Sequence, residues 1–219
     1  MEQIFVTPKD VSQKIIQKTN SDVHVSGREK LPDGPVLIVA NHQGLFDILT
    51  LLGHLEKPIG FIAKKEIKKL PIVSNWMKQL NCVFIDRSDR RQSVEAINQG
   101  IANLKEGRSI VIFPEGTRGK GSKLNSFKSG GLKLATKANV PIVPVAINGT
   151  YQLLESGKGC IGTSTITLTV IDPIYPDEYE DKTHRELAAE IQGIIENALD
   201  SNATARRLEN SCQTTPITE

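Results

Sequence analysis

The hydrophobic positions of this chain fall into short, nearly unbroken runs separated by stretches of helical period. Val36-Leu-Ile-Val-Ala40, Ile59-Gly-Phe-Ile-Ala63, Asn81-Cys-Val-Phe-Ile-Asp86, Ser109-Ile-Val-Ile-Phe113 and Pro141-Ile-Val-Pro-Val-Ala-Ile147 read as buried strands. The prolines of the last run predict an edge position or a strand start. Thr163-Ser-Thr-Ile-Thr-Leu-Thr-Val170 alternates polar and apolar as a half-exposed strand does, and Val23-His-Val25 reads as a short edge strand. Helical patterns lie at about 88–105, 128–138 and 183–199. A shorter one over 9–19 has apolar residues at 11, 15 and 16, with Asp10 as its candidate N-cap. Apolar strands alternating with helices predict an α/β fold, a mixed and largely parallel central sheet flanked by helices. One domain is expected over 1–200, its residues 1–22 a short amphipathic lead, with a disordered polar tail over 201–219.

Four of the strand ends are followed by polar or charged residues. The first carries Asn41-His-Gln-Gly-Leu-Phe-Asp47, the third Asp86 and Arg87, the fourth Phe113-Pro-Glu-Gly-Thr-Arg118, and the fifth Asn148-Gly-Thr150. Parallel strands would bring these ends to one edge, where open α/β sheets bind their ligands. His42 and Asp47 would diverge by roughly 140° on one helix. They can meet only with His42 at the strand end or in the turn and Asp47 in the first helical turn beyond it, with Ile48-Leu-Thr-Leu-Leu52 continuing that helix.

The carboxylate would fix the ring tautomer and stabilise the imidazolium, leaving the histidine as a base near neutral pH. No Gly-x-Ser-x-Gly elbow occurs and no cysteine has a suggestive context, so the hydroxyl to be activated more plausibly belongs to the substrate. In Glu115-Gly-Thr-Arg118, Gly116 permits close backbone approach, while Thr117 and Arg118 donate to an anion; Arg87 would be a second anion contact. Composition and spacing leave the plainer readings open. His42 and Asp47 can be a structural pair, Asp86 and Arg87 a surface turn, and Glu115 with Arg118 a loop salt bridge. His24, His54 and His184 are read as structural.

Bulk properties narrow the classes. A net charge of +2 gives no overall case for nucleic acid. Three scattered cysteines form neither a disulfide framework nor a metal-ligand set, so a reducing, cytoplasmic setting and no metal are expected. No run approaches the roughly 18 apolar residues of a membrane span, so any membrane contact is expected to be peripheral. Gly119-Lys-Gly-Ser122 lacks the phosphate-loop pattern.

The motifs together resemble the glycerolipid acyltransferase family, and within it the 1-acylglycerol-3-phosphate O-acyltransferases. Asn41-His42-x4-Asp47, Val83-Phe-Ile-Asp-Arg87, Phe113-Pro-Glu-Gly-Thr-Arg118 and Val140-Pro-Ile-Val-Pro144 resemble its four motifs in order, over roughly residues 23–175. Gly44 and Asn81 depart from it, standing where many members have Ser and Gly. The resemblance implies that His42 deprotonates the sn-2 hydroxyl of a lysophospholipid and that Asp47 orients it. Arg87, Glu115, Gly116, Thr117 and Arg118 would hold the glycerol phosphate. The co-substrate would be an acyl thioester of CoA or acyl carrier protein, with no cofactor and phosphatidic acid as product. Another lysophospholipid, glycerol 3-phosphate or a hydroxylated lipid are alternative acceptors, and a non-catalytic lipid-binding protein is the alternative from a different class.

Such substrates need a lipid surface, expected at the inner face of a membrane. Lys64, Lys65, Lys68 and Lys69 precede Pro71, and Leu70, Val73, Trp76, Met77 and Leu80 lie near one helical face. Basic residues beside a Trp-bearing apolar face suit an interfacial helix. A core-packed helix with a solvated lysine patch is the equal alternative.

Overall fold

The computed structural model describes residues 2–86, 88–119, 123–156 and 160–212. Seven strands form one sheet: β1 (Asp22–Ser26), β2 (Leu37–Ala40), β3 (Ile59–Lys64), β4 (Val83–Ile85), β5 (Ser109–Ile112), β6 (Ile142–Asn148) and β7 (Thr165–Val170). Their order is β1-β7-β6-β2-β5-β3-β4. β2 through β6 are mutually parallel, β7 runs antiparallel to β6, and β1 runs parallel to β7 on the outer edge. The sheet is therefore mixed and largely parallel, and β1 is the edge strand expected.

The period of two along each strand sends alternate residues to opposite faces, which is why the central strands are apolar throughout. Leu37, Val39, Ile110, Ile112, Ile142 and Ala146 face one cluster, completed by Leu104 of α4 (Arg90–Lys105), Leu134 of α5 (Lys133–Ala138) and Leu187, Ile191 and Ile195 of α7 (His184–Cys212). Val36, Ile38, Ala40, Val111, Val143, Val145 and Ile147 face the other, closed by Leu51 and Leu52 of α2 (Phe46–His54) and Met77 of α3 (Pro71–Gln79). A third cluster joins Ile16 of α1 (Glu2–Gln17), Phe46, Leu153 and Ile166. The remaining helix, α6, is the single turn Pro176–Tyr179.

Three sequence expectations are corrected. First, β6 is neither an edge strand nor confined to a strand start, despite its prolines. Pro141 does precede the strand, but Pro144 lies within it and pairs with Val39 of β2. The Pro144 carbonyl accepts from Ile171 N at 3.0 Å, so its missing N–H also points to that side, just past the end of β7. The β2 ladder loses nothing. Second, α1 begins at Glu2, so Asp10 is interior to it, and Pro8 lies within the helix. The lead packs on the domain: Ile16 is buried, and Gln13 Nε2 donates to Gly53 O of α2 at 2.7 Å. Third, the tail expected to be disordered from Ser201 is helical as far as Cys212, the end of α7. Good helix formers such as Ala203, Ala205, Arg206 and Leu208 carry the propensity onward. The rest of that tail, 213–219, lies outside the described residues. Among the described residues, no helix is long and apolar enough to cross a membrane.

Candidate active site

The parallel strands bring the polar ends of β2, β4, β5 and β6 to one edge of the sheet. β2 is the centre, and the chain leaves it between β5 and β6. Asn41 continues its pairing with a side chain: Nδ2 donates to Ile147 O at 2.8 Å, and Ile147 N donates to Oδ1 at 2.7 Å. His42 follows directly. Its amide donates to Glu115 Oε1 at 2.7 Å, its carbonyl accepts from Gly119 N at 2.7 Å, and its ring stacks on Phe113 at 4.1 Å. The base is thus held by the loop after β5 as well as by its own strand.

His42 Nδ1 lies 2.7 Å from Asp47 Oδ2, with Asp47 in the first turn of α2. Asp47 is fully buried. The same Oδ2 accepts from the amides of Gln43 at 2.6 Å and Gly44 at 2.9 Å, and Oδ1 accepts from the Thr150 hydroxyl. Thr150 also lies 3.2 Å from Gln43 Oε1. Four donors on one carboxylate offset its desolvation and keep it an acceptor. Nδ1 therefore carries the ring hydrogen, and Nε2 presents a lone pair with no hydrogen-bond partner among the described residues. The arrangement can take a proton from a hydroxyl brought to Nε2.

The Glu115–Arg118 turn divides by role. Gly116 adopts φ +75°, which glycine takes without strain, and Thr117 and Arg118 are exposed at the rim. Glu115 departs from the expected substrate contact. It is 3% exposed, and besides His42 N its carboxylate accepts from Asn125 N at 2.9 Å and Asn125 Nδ2 at 2.8 Å. A carboxylate cannot hold a phosphate directly; here it ties two loops beneath the base. Arg118 reaches Glu155, 3.5 Å away, which also accepts from Leu45 N at 2.8 Å.

Arg87 lies outside the described residues. Its neighbour Asp86 is buried and ion-paired with Lys65; Ser88 donates to it from its hydroxyl at 2.6 Å and its amide at 3.0 Å. The Lys65 ammonium, followed by the Ser88 donors, pulls the Asp86 carboxyl down to about 2. Asp86 thus fastens the end of β4 to the turn after β3.

The expected lipid-facing stretch is split by the structure. Leu70, Val73 and Trp76 are 56%, 45% and 37% exposed, whereas Met77 packs against the core and Leu80 is buried. Lys65 is engaged by Asp86, and Lys68 Nζ sits 5.1 Å from the centre of the Phe84 ring; Lys64 and Lys69 are exposed. The stretch starts where β3 ends, so its first residues lie on the edge that carries His42.

The other histidines lie outside this cluster. His184 Nε2 is 2.9 Å from Thr136 Oγ1, joining α7 to α5. Burial and the Arg28 cation lower the pKa of His54. No group of three potential metal ligands occurs among the described residues. Sequence reasoning named Asn41 only as part of a motif, without its pairing to Ile147, and missed Gln43, Asn125 and Glu155. Thr150 was visible only as part of a polar strand end, and its partner Asp47 is 103 residues away.

The family model described as Acyltransferase matches residues 22–148. A 1-acyl-sn-glycerol-3-phosphate acyltransferase of Chlamydomonas reinhardtii is 38% identical over 73% of this chain and 49% of its own length. The yeast (Saccharomyces cerevisiae) enzyme of that name is 33% identical over 81% of this chain and 60% of its own length. The chain spans about half the length of the first curated relatives it matches. A crystal structure titled as the 1-acyl-sn-glycerophosphate (LPA) acyltransferase PlsC of Thermotoga maritima superposes with a TM-score of 0.82 at 32% identity, covering 91% of this chain and 79% of that one.

Proposed function

This chain belongs to the acyltransferase family, and from that premise we propose that it acylates the sn-2 hydroxyl of 1-acylglycerol 3-phosphate, giving phosphatidic acid. The observation that carries the reading is the buried Asp47 fixing His42, whose Nε2 has no partner among the described residues, beside an exposed Thr117–Arg118 rim. His42 Nε2 takes the proton of the acceptor hydroxyl as its oxygen attacks the thioester carbonyl carbon. The C–S bond breaks, and the departing thiolate takes the proton back from the imidazolium. Asp47 stabilises that imidazolium, while the buried Glu115 and Asn41 hold the base in place. Arg118 and the Thr117 hydroxyl bind the acceptor's phosphate, with Arg87 a second contact by its place in the sequence. The donor is an acyl thioester of CoA or of acyl carrier protein, and proton, acyl group and thiolate balance without a cofactor.

The acceptor lies in a lipid layer, so the enzyme works as a peripheral protein at the inner, cytoplasmic face of a membrane. Supporting this is the exposed Leu70, Val73 and Trp76 set with Lys64 and Lys69, rising from the site's edge of the sheet. Thiol release from oleoyl-CoA, measured with 1-acylglycerol 3-phosphate, other lysophospholipids, glycerol 3-phosphate and monoacylglycerol, tests the function. 1-Acylglycerol 3-phosphate is expected to give the highest kcat/KM, and His42→Ala to abolish the acceptor-dependent release. A different best acceptor, or His42→Ala releasing thiol as fast as wild type, overturns the assignment.

A further inference from the structure

Glu155 does not appear in any of the motifs, yet its carboxylate sits on the proposed anion rim. Oε1 accepts from Leu45 N, at the start of α2, at 2.8 Å and lies 3.5 Å from the Arg118 guanidinium. Those are the kinds of donor a phosphate monoester would use, an amide at a helix N-terminus and an arginine. The loop is shaped for this occupant. A Cβ built on Gly44 would stand 2.3 Å from Glu155 Oε2 and 2.5 Å from its Cδ, so the glycine leaves room for the carboxylate. The arm that delivers it is anchored two residues earlier by Leu153, fully buried against Phe46 and Ile16. The side chain itself keeps 19% exposure and can rotate into solvent.

We propose that Glu155 is an internal stand-in for the acceptor's phosphate, closing the Leu45–Arg118 anion subsite until a phosphate-bearing acceptor displaces it. The proposal rests on the acceptor assignment above only for its substrate, not for the latch. While the latch is closed, the apparent affinity for a phosphate is reduced by the fraction of molecules that are open. An acceptor without an anionic group neither competes with Glu155 nor gains from its departure. Glu155 thereby sets acceptor affinity without touching the reacting atoms.

The test compares wild type with Glu155→Gln and Glu155→Asp, whose shorter side chain no longer reaches Leu45 N. A partly exposed ion pair and one amide bond correspond to a closed population worth about a three- to tenfold change. KM for 1-acylglycerol 3-phosphate is expected to fall by that factor in both variants, with KM for monoacylglycerol moving less than about twofold. Calorimetric titration with inorganic phosphate and with glycerol 3-phosphate is expected to give correspondingly tighter Kd values, independently of turnover. Gly44→Ala, whose added methyl collides with the carboxylate, is expected to tighten phosphate binding too, and to add nothing once Glu155→Gln is present. Unchanged phosphate affinity in both Glu155 variants would reduce Glu155 to a structural clamp and overturn the latch. Weaker affinity would make it an acceptor ligand and overturn it equally. A wild type that turns over no phosphate-bearing acceptor refutes the function above, while the calorimetry still decides the latch.

Discussion

Replacing Asp47 by asparagine separates what its charge does from what its shape does. The carboxylate takes His42 Nδ1 and the Gln43 and Gly44 amides on Oδ2, and the Thr150 hydroxyl on Oδ1. An asparagine must put its NH2 group at one of those two positions. At Oδ2 it would face two backbone N–H groups that cannot turn away, leaving each without its acceptor at about 1–3 kcal/mol apiece. At Oδ1 it faces only Thr150, whose hydroxyl can rotate to accept and pass its own hydrogen to Gln43 Oε1, 3.2 Å away. The amide oxygen is therefore held on the His42 side, and the ring keeps its tautomer. Only the negative charge is lost. With charge centres about 4 Å apart and an effective dielectric of about 20, its attraction for the imidazolium is about 4 kcal/mol. The remaining amide dipole recovers part, so the barrier rises by about 2–4 kcal/mol and kcat falls about 30- to 1000-fold. Stability changes by less than about 1 kcal/mol, because the buried polar groups keep partners. The assay is thiol release from an acyl-CoA beside a thermal melt. A kcat within threefold of wild type would refute the role of the charge. A melting temperature lowered by about 10 °C, as orphaned amides would give, would refute the worked orientation.

The companion substitution Thr150→Val leaves the charge and strips Oδ1 of its donor. It should cost about 1–3 kcal/mol, a drop of about 2–4 °C per kcal/mol in a thermal melt, with a smaller loss of kcat than Asp47→Asn. A variant as stable as wild type would mean that the bond is not made. Trp76→Glu should weaken co-sedimentation with anionic vesicles while leaving thiol release from a short-chain soluble acceptor intact; equal vesicle binding would remove Trp76 from the membrane surface. Asp86 is held at about 2 in the folded chain, against about 3.9 when unfolded. Its contribution to stability is therefore full above about pH 4 and fades as pH falls toward about 2. Urea denaturation of wild type and Asp86→Asn should converge across that window, and a constant separation would show that the pair with Lys65 adds nothing.

The strands, their convergence on one edge and the His42–Asp47 pairing were legible in the sequence, because each rests on local patterning. Five apolar runs of strand length have few ways to be buried, and parallel strands put their polar ends together. Neighbour order was not legible, and so Pro144 misled: a proline argues against a central strand unless the ladder ends beside it, which only the register with Ile171 reveals. Glu115 misled for another reason. Residue type marked the turn as a binding turn, but which way a carboxylate points depends on Asn125 and on the His42 amide, brought together only by the fold. The sequence places Leu70, Val73, Trp76, Met77 and Leu80 near one helical face, yet packing against the cluster that holds Ile59 and Phe61 of β3 takes Met77 and Leu80 inward and leaves Leu70, Val73 and Trp76 outside. Thr150 shows in the sequence only as a polar residue after a strand, since the Gln43 and Asp47 side chains that give it its role lie more than 100 residues away.

The paired contact of Asn41 with Ile147 works as a last rung of the sheet made by a side chain. The reactive nitrogen, one residue later, inherits the position of the sheet's central strands rather than the wander of a loop. The connections after β5 and β6 complete that hold at fixed points, Glu115 and Gly119 on His42 and Thr150 on Asp47, and can vary only between and beyond them. Acceptor recognition and proton transfer therefore share one loop, and a relative could acquire a new acceptor by changing the exposed Thr117 and Arg118 while Glu115 and Gly119, on either side, keep the base in place.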